Sequence, residues 1–363
     1  MSNLRDRLKR IQESKKNILQ GEIRGQPDDI PVMEGWEPCG FKVIKRKVIL
    51  KSPFKSIKNL PEFIAVFVPD LAGKEISALE NFLFFDLETT GLSGGAGTVA
   101  FLAAFGRFVS GSLQITQYLL LDYPGENDFL DNVLSELKTK DSVIVSYNGK
   151  SFDCQIIKTR CLMNRIKPPE FLHADLLHPA RRLWKNIIQD CSQASVERNI
   201  LGIERKDDIP GALAPEIWFE FLKTGKTDRL LGICDHNKFD IFGLAAILGA
   251  VLSIAKDPFG GKYQYDMERI ALYWRQYIRR FDYLKIDTGI KTAGEKLMRL
   301  AAEKDQRRAV YVYSYDEIKK GNYDNAYRFV LRGLKLFEDF SIYHQKLLRR
   351  KERLEKKIKP QEK

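Results

Sequence analysis

The stretch Asn81-Phe-Leu-Phe-Phe-Asp86-Leu-Glu88-Thr-Thr-Gly91 decides the fold. Its apolar start, Phe82 to Phe85, reads as a buried strand, and Thr-Thr-Gly reads as the turn that ends it. Side chains two apart on a strand point to the same side, so Asp86 and Glu88 present their carboxylates together. Two adjacent like charges at the end of a buried strand repel unless a cation neutralises them. Hard oxygen ligands of this kind suit Mg²⁺ or Mn²⁺ rather than zinc. A bare Asp-x-Glu is more often a pair of surface acids. The apolar strand before it and the turn after it shift the balance towards a cation site.

Two further β-rich runs follow, TVAFLAAFGRFV (98–109) and LQITQYLLLDY (113–123), separated from one another by Ser110-Gly111. With the first run they predict a meander of three antiparallel strands. A helical pattern then covers Glu126 to Lys138, and the short apolar run SVIVSY (142–147) stops at Asn148-Gly149. SFDCQIIKTRCLM (151–163) reads as a helix, EFLHAD (170–175) as a fifth strand, and the pattern after Asp175 is helical almost throughout. Upstream, FKVIKRKVIL (41–50) alternates enough to be a strand, and its lysines suit a sheet edge. Composition alone gives α/β or α+β, and three antiparallel strands followed by strands alternating with helices is the order of a mixed sheet. The expected organisation is a basic helix and linker over 1–35, an α/β domain over 36–258, and a helical region over 264–363.

Hydrophobic residues make up 44% of the 363, with 22 Phe and 14 Tyr, enough for a packed core and against wholesale disorder. The first twenty residues hold no continuous apolar run, which argues against a secretory signal, and no membrane span is expected elsewhere. Cys39, Cys154, Cys161, Cys191 and Cys234 form no CxxC pair, which fits reduced thiols and a cytoplasmic location. The formal net charge of +12 is unevenly spread. Asn81 to Ala255 holds 18 Lys and Arg against 21 Asp and Glu, whereas Ser341 to Lys363 holds nine basic residues and three acidic ones. An acidic centre with basic flanks suits a cation site and a polyanionic partner, although a basic tail is as often a solvated helix end.

Two more elements can join Asp86 and Glu88. Asn148-Gly-Lys-Ser-Phe-Asp153 follows a strand and opens a helix. Asp153 can cap that helix and Asn148 can be a plain turn residue, or both can face a site. His236-Asn-Lys-Phe-Asp240 lies in a helical pattern from about Arg229 to Ile254, and residues four apart on a helix share a face. Thr89 and Thr90 can position a substrate or cap the strand, and Lys150 can meet a phosphate. His173-x-Asp175-x-x-His178 has the look of a metal cluster but is more simply a set of hydrogen-bonding groups. Gly94-Gly-Ala-Gly97-Thr98 lacks the lysine of a nucleotide-binding P-loop, so ATP binding is not expected.

In order and spacing, DLETTG (86–91), NGKSFD (148–153) and HNKFD (236–240) resemble the three exonuclease motifs of the DEDD superfamily, histidine subtype, to which the DnaQ-like proofreading exonucleases belong. The chain is still more similar to the YprB-type ribonuclease-H-like proteins of bacteria. That likeness runs through SGGAGT (93–98), HADLLHPARRLW (173–184) and DIPGALAPEIWFEFLKTG (208–225), and covers about Trp36 to Ile254. It implies an RNase-H-like mixed sheet, three antiparallel strands then parallel strands with helices on both faces, plus a small all-α C-terminal region. Gly321-x-Tyr323-x-x-Ala326 and Gly333 in that region resemble a tetratricopeptide-like hairpin, which suits a protein partner. By the resemblance, Asp86, Glu88, Asp153 and Asp240 hold two Mg²⁺ or Mn²⁺ ions and His236 is the general base; Thr89, Thr90, Asn148 and Lys150 are the residues expected towards the substrate. The implied activity is a 3′→5′ exonuclease on RNA or single-stranded DNA. A non-catalytic nucleic-acid-binding scaffold and an RNase-H-like endonuclease stand as alternatives. Lys238 and the longer Gly-rich run depart from the plain exonuclease pattern.

Overall fold

The computed structural model describes residues 31, 33–54, 64–74, 76, 78–91, 97–139, 142–206, 208–281 and 286–358. The basic helix expected near the N-terminus and most of the Gly-rich run after Gly91 lie outside the described residues. The chain divides into two compact units. The first comprises Met1–Pro61, Lys74–His178 and Ser192–Gly260, and the second Glu62–Gly73, Pro179–Cys191 and Gly261–Lys363.

The first unit is built on one seven-stranded mixed sheet. Its strands are β1 (Trp36–Gly40), β2 (Val43–Lys51), β3 (Phe82–Thr89), β4 (Ala100–Val109), β5 (Ser112–Leu120), β6 (Val143–Ser146) and β7 (Leu172–Asp175), in the spatial order β1-β2-β5-β4-β3-β6-β7. Pairing is antiparallel from β1 across to β3 and parallel from β3 through β6 to β7. The three-strand meander therefore extends to five antiparallel strands. β2 corrects an expectation, since it lies between β1 and β5 and is not an edge. Its charges are met across strands: Lys45 pairs with Glu37 on β1 at 3.3 Å, and Arg46 donates to Gln117 on β5 at 2.6 Å. The edge position falls to β1, whose sequence WEPCG carries a proline that cannot donate to a ladder.

Helices cover both sides of this sheet. On one side, Phe85 stacks on Phe105 with ring centroids 5.1 Å apart, in a core shared with Phe129 and Val133 of α1 (Glu126–Leu137). On the other side runs the long helix α5 (Asp228–Lys256). Gly106 of β4 leaves room for it, because a Cβ there would collide with Ile241. Between these helices in sequence come α2 (Asp153–Met163), α3 (Leu177–Trp184), which belongs to the second unit from Pro179 on, and α4 (Ala214–Thr224). By length and composition α5 could cross a membrane, with a window of mean hydropathy 1.8, yet 72% of that window is buried. It is a core helix of this unit, and its apolar character follows from that burial.

The second unit is helical among its described residues. It contains α6 (Met267–Arg280), α7 (Thr288–Glu303), α8 (Arg307–Lys320), α9 (Tyr323–Leu336) and α10 (Ile342–Ile358). Trp274 of α6 is fully buried, meets Phe67 edge-on at 6.2 Å, and donates its indole N–H to the Ile290 carbonyl at 2.9 Å. Truncating such a tryptophan typically costs about 3–5 kcal/mol. α8 ends at Gly321, whose φ of +81° suits a residue without a Cβ, and the chain turns at once into α9. Gly333 of α9 lies against Leu347 of α10, so small residues set the close approach of these helices.

Candidate metal centre

β3 brings Asp86 and Glu88 to the α5 side of the sheet, as their two-residue spacing predicts. Asp86 is in register with Ala104 on β4, and Ala104 with Gln117 on β5. Gln117 donates to the Cys234 carbonyl at 2.8 Å and to Asn237 Oδ1 at 2.9 Å, both on α5. Asn237 in turn donates to Asp86 Oδ2 at 2.7 Å. This buried amide relay ties the first acid to the helix that carries His236 and Asp240.

Asp153 sits in the first turn of α2 and is buried, at 5% exposure. The turn before it is strained in a useful way. Asn148 adopts φ +65°, and Asp175 accepts the N–H groups of Asn148 at 2.8 Å, Lys150 at 3.1 Å and Leu177 at 3.1 Å. Asp175 is thus a structural clasp at the ends of β6 and β7. His173 is likewise engaged in packing hydrogen bonds, to Ser146 at 2.7 Å and Cys154 at 3.5 Å, while His178 is exposed.

On α5, His236 Nε2 lies 3.2 Å from Asp240 Oδ2, the i,i+4 contact that a shared helical face allows. Ligand atoms of Glu88, His236 and Asp240 all lie within 4.8 Å of one another. The repulsion anticipated from sequence adds to the effect of burial. Burial first, then the charges of Asp240, Asp153 and Glu88, hold the Asp86 carboxyl well above the usual range. Glu88 is raised by burial and by Asp240, Asp153 and Asp208. Asp153 is pushed up to about 7, chiefly by burial and further by Asp175 and Asp240. Converging hard oxygen donors that resist ionisation together are the surroundings a divalent cation relieves, so this donor set fits Mg²⁺ or Mn²⁺.

Several residues of this neighbourhood were not singled out in the sequence. Arg205 bonds Glu197, Asp208 and Asp240, and Asp208 accepts from His236 Nδ1 at 2.8 Å. Glu197 belongs to a single π-helical turn, Glu197–Leu201, a type of irregularity frequent at functional sites. The loop that carries Arg205 and Asp208 has no periodicity to mark it. Of the expected substrate residues, Thr89 and Thr90 are buried and serve their own turn: Thr89 Oγ1 donates to the Gly91 carbonyl at 2.8 Å, and Thr90 Oγ1 accepts from Val99 N–H at 3.0 Å.

Residues 83–252 match the model of the RNase_H_2 family, of the RNase H superfamily. The mixed sheet with its flanking helices is an RNase H-like fold. The chain is also similar to the uncharacterized protein YprB of Bacillus subtilis, at 35% identity over 256 residues. That match covers 65% of this chain and 62% of the relative, so the chain spans somewhat less than two thirds of the relative's length. Among solved structures, similarity extends to a family B DNA polymerase of Pyrobaculum calidifontis (13% identity, TM-score 0.38, 54% of this chain and 29% of that one). It extends also to a product-bound exonuclease I (17% identity, TM-score 0.32, 49% of this chain and 44% of that one).

Proposed function

We propose that this chain is a metal-dependent nuclease that hydrolyses phosphodiester bonds of single-stranded nucleic acid, RNA or DNA, from the 3′ end. The observation that carries the reading is the convergence of buried Glu88 and Asp153 and half-buried Asp86 with Asp240 and His236, on a domain that matches the RNase H superfamily. Asp86, Glu88, Asp153 and Asp240 would hold two Mg²⁺ or Mn²⁺ ions. Such ions, when bound, lower the pKa of the attacking water and stabilise the leaving 3′ oxygen. His236 presents Nε2 towards the acids, while its Nδ1 is committed to Asp208, so Nε2 is the atom that receives the proton of the attacking water. Thr89 and Thr90 keep the β3 turn closed beside the acids, Asn148 shapes the turn before Asp153, and Lys150 offers its charge to a phosphate. The reading places the protein in the cytoplasm and assigns the C-terminal helices, taken as tetratricopeptide-like, to a protein partner.

The test is a divalent-ion-dependent assay on end-labelled linear and circular RNA and DNA, with Asp86→Ala beside the native chain. Shortening of linear but not circular substrate, lost in Asp86→Ala while the fold is kept, is the expected result. Equal activity in both proteins would overturn the reading. Cleavage of circles would make it an endonuclease. Salt-sensitive binding without turnover under any divalent ion would leave a scaffold.

A further inference from the structure

Arg205 occupies a peculiar position beside the acids. Its guanidinium forks onto both carboxylate oxygens of Glu197 at 2.8 Å each, reaches Asp240 Oδ1 at 2.7 Å, and lies 3.4 Å from Asp208 Oδ2. The remaining oxygen of each aspartate faces the histidine, Asp208 Oδ1 at 2.8 Å from Nδ1 and Asp240 Oδ2 at 3.2 Å from Nε2. Arg205, Asp208, His236 and Asp240 therefore close a ring in which each carboxylate is shared between guanidinium and imidazole. Glu197 backs the ring from the interior at 1% exposure, and Gln193 ties it down by donating to Glu197 Oε1 at 2.9 Å and to the Asp240 carbonyl at 2.8 Å. Gly243 makes the arrangement possible, because a Cβ there would collide with the Glu197 carboxylate.

We propose that Arg205 is a positioning residue for this centre. It decides which oxygen of Asp240 is turned towards the other acids and, through Asp208, which ring nitrogen of His236 faces them. The charge of Arg205 is permanent and its planar donors are set in a fixed fork, so it can hold three carboxylates at once where a lysine ammonium would hold a point contact. Buried ion pairs contribute little to net stability once desolvation is counted, and their best-attested use is to select one arrangement. The catalytic consequence rests on the nuclease reading; the geometric one stands without it.

The test replaces both partners of the buried fork, Glu197→Leu with Arg205→Met, so that Glu197, the most deeply buried member, is not left without its counter-ion while Asp208 and Asp240 lose only the guanidinium. Circular dichroism reports the fold, and ¹⁵N-histidine NMR reports the ring. The chain has four histidines, and His236→Gln assigns the signal of interest. In the native chain, with or without Mg²⁺, the His236 Nδ1–H signal is expected as one sharp resonance. In the double variant it should broaden or shift while the other three stay in place. In the cleavage assay kcat should fall about 100-fold with oligonucleotide KM within about twofold, the pattern of misplaced groups, not of lost binding. Arg205→Ala should regain activity with millimolar guanidinium and not with equal methylammonium. A folded double variant with an unchanged His236 signal and kcat within about twofold of native overturns the proposal. If the double variant does not fold, Arg205→Lys, which keeps the charge and loses the fork, takes its place in both measurements. A shifted or broadened His236 signal with reduced kcat then supports the proposal, and native values of both overturn it. If the native chain cleaves nothing, the nuclease reading falls, and the NMR arm still decides the ring.

Discussion

Asp153 shows how much of this centre is encoded in single residues. Burial pushes its carboxyl up to about 7 in the folded chain, above the ordinary aspartate value of about 4. The folded state therefore holds a proton there that the unfolded state has released. The stability tied to that proton is complete below pH ~4 and is lost as pH rises through ~7. In chelator, the native Tm should fall between pH 5 and 8 relative to Asp153→Asn, which stays neutral. Mg²⁺ or Mn²⁺ should restore the native chain at pH 8 and leave the variant behind. A pH-independent difference between the two would contradict the assignment. Gly243 offers a second check. Gly243→Ala forces a methyl group against the Glu197 carboxylate, and overpacking of this kind costs about 1–3 kcal/mol, readable by urea unfolding. A neutral substitution would mean that Glu197 moves freely.

Between residues and molecule, the elements explain which parts of the site were legible in the sequence. Period two on β3 and the i,i+4 spacing on α5 are local rules, so Asp86 with Glu88 and His236 with Asp240 could be paired by counting. Strand–turn–helix order placed Asp153 and explained Asn148. Arg205, Glu197 and Asn237 were illegible for the opposite reason. Their partners lie up to 151 positions away, and a buried ion pair or amide leaves no periodic mark. β2 was misplaced at an edge because lysines on an interior strand look like edge protection until a neighbouring strand supplies Glu37. The amide relay makes an element-scale expectation. Asn237 is fully buried and joins β3, β5 and α5, so Asn237→Ala takes the donor from Asp86 Oδ2 and leaves the Gln117 amide N–H groups with the Cys234 carbonyl alone. Such loss costs about 1–3 kcal/mol. Gln117→Leu with Asn237→Leu should be less destabilising than the sum of the single changes, as a double-mutant cycle would report.

At the scale of the whole molecule, charge and chain path matter more than any one contact. The net charge of +12 coexists with an acidic centre, so attraction to a polyanion must come from outside that centre. Oligonucleotide affinity is expected to drop at least tenfold between 50 and 200 mM salt, with a linear log–log slope. Asp86→Ala should leave that slope unchanged; a flat response would remove the polyanion from the account.

The interleaving of the two units has a temporal side. Glu62–Gly73 and Pro179–Cys191 leave the ribosome long before the helices they pack with, and Phe67 waits roughly 200 residues for Trp274. At synthesis rates of about 5–20 residues per second, that interval is on the order of 10 to 40 seconds. Throughout it, the short helix Ile64–Phe67, whose four side chains are all buried in the finished protein, has nowhere to go. The helical unit thus receives its first and last segments far apart in time, and a nascent chain stalled between Phe67 and α6 is expected to hold an apolar segment that lacks its final packing partner.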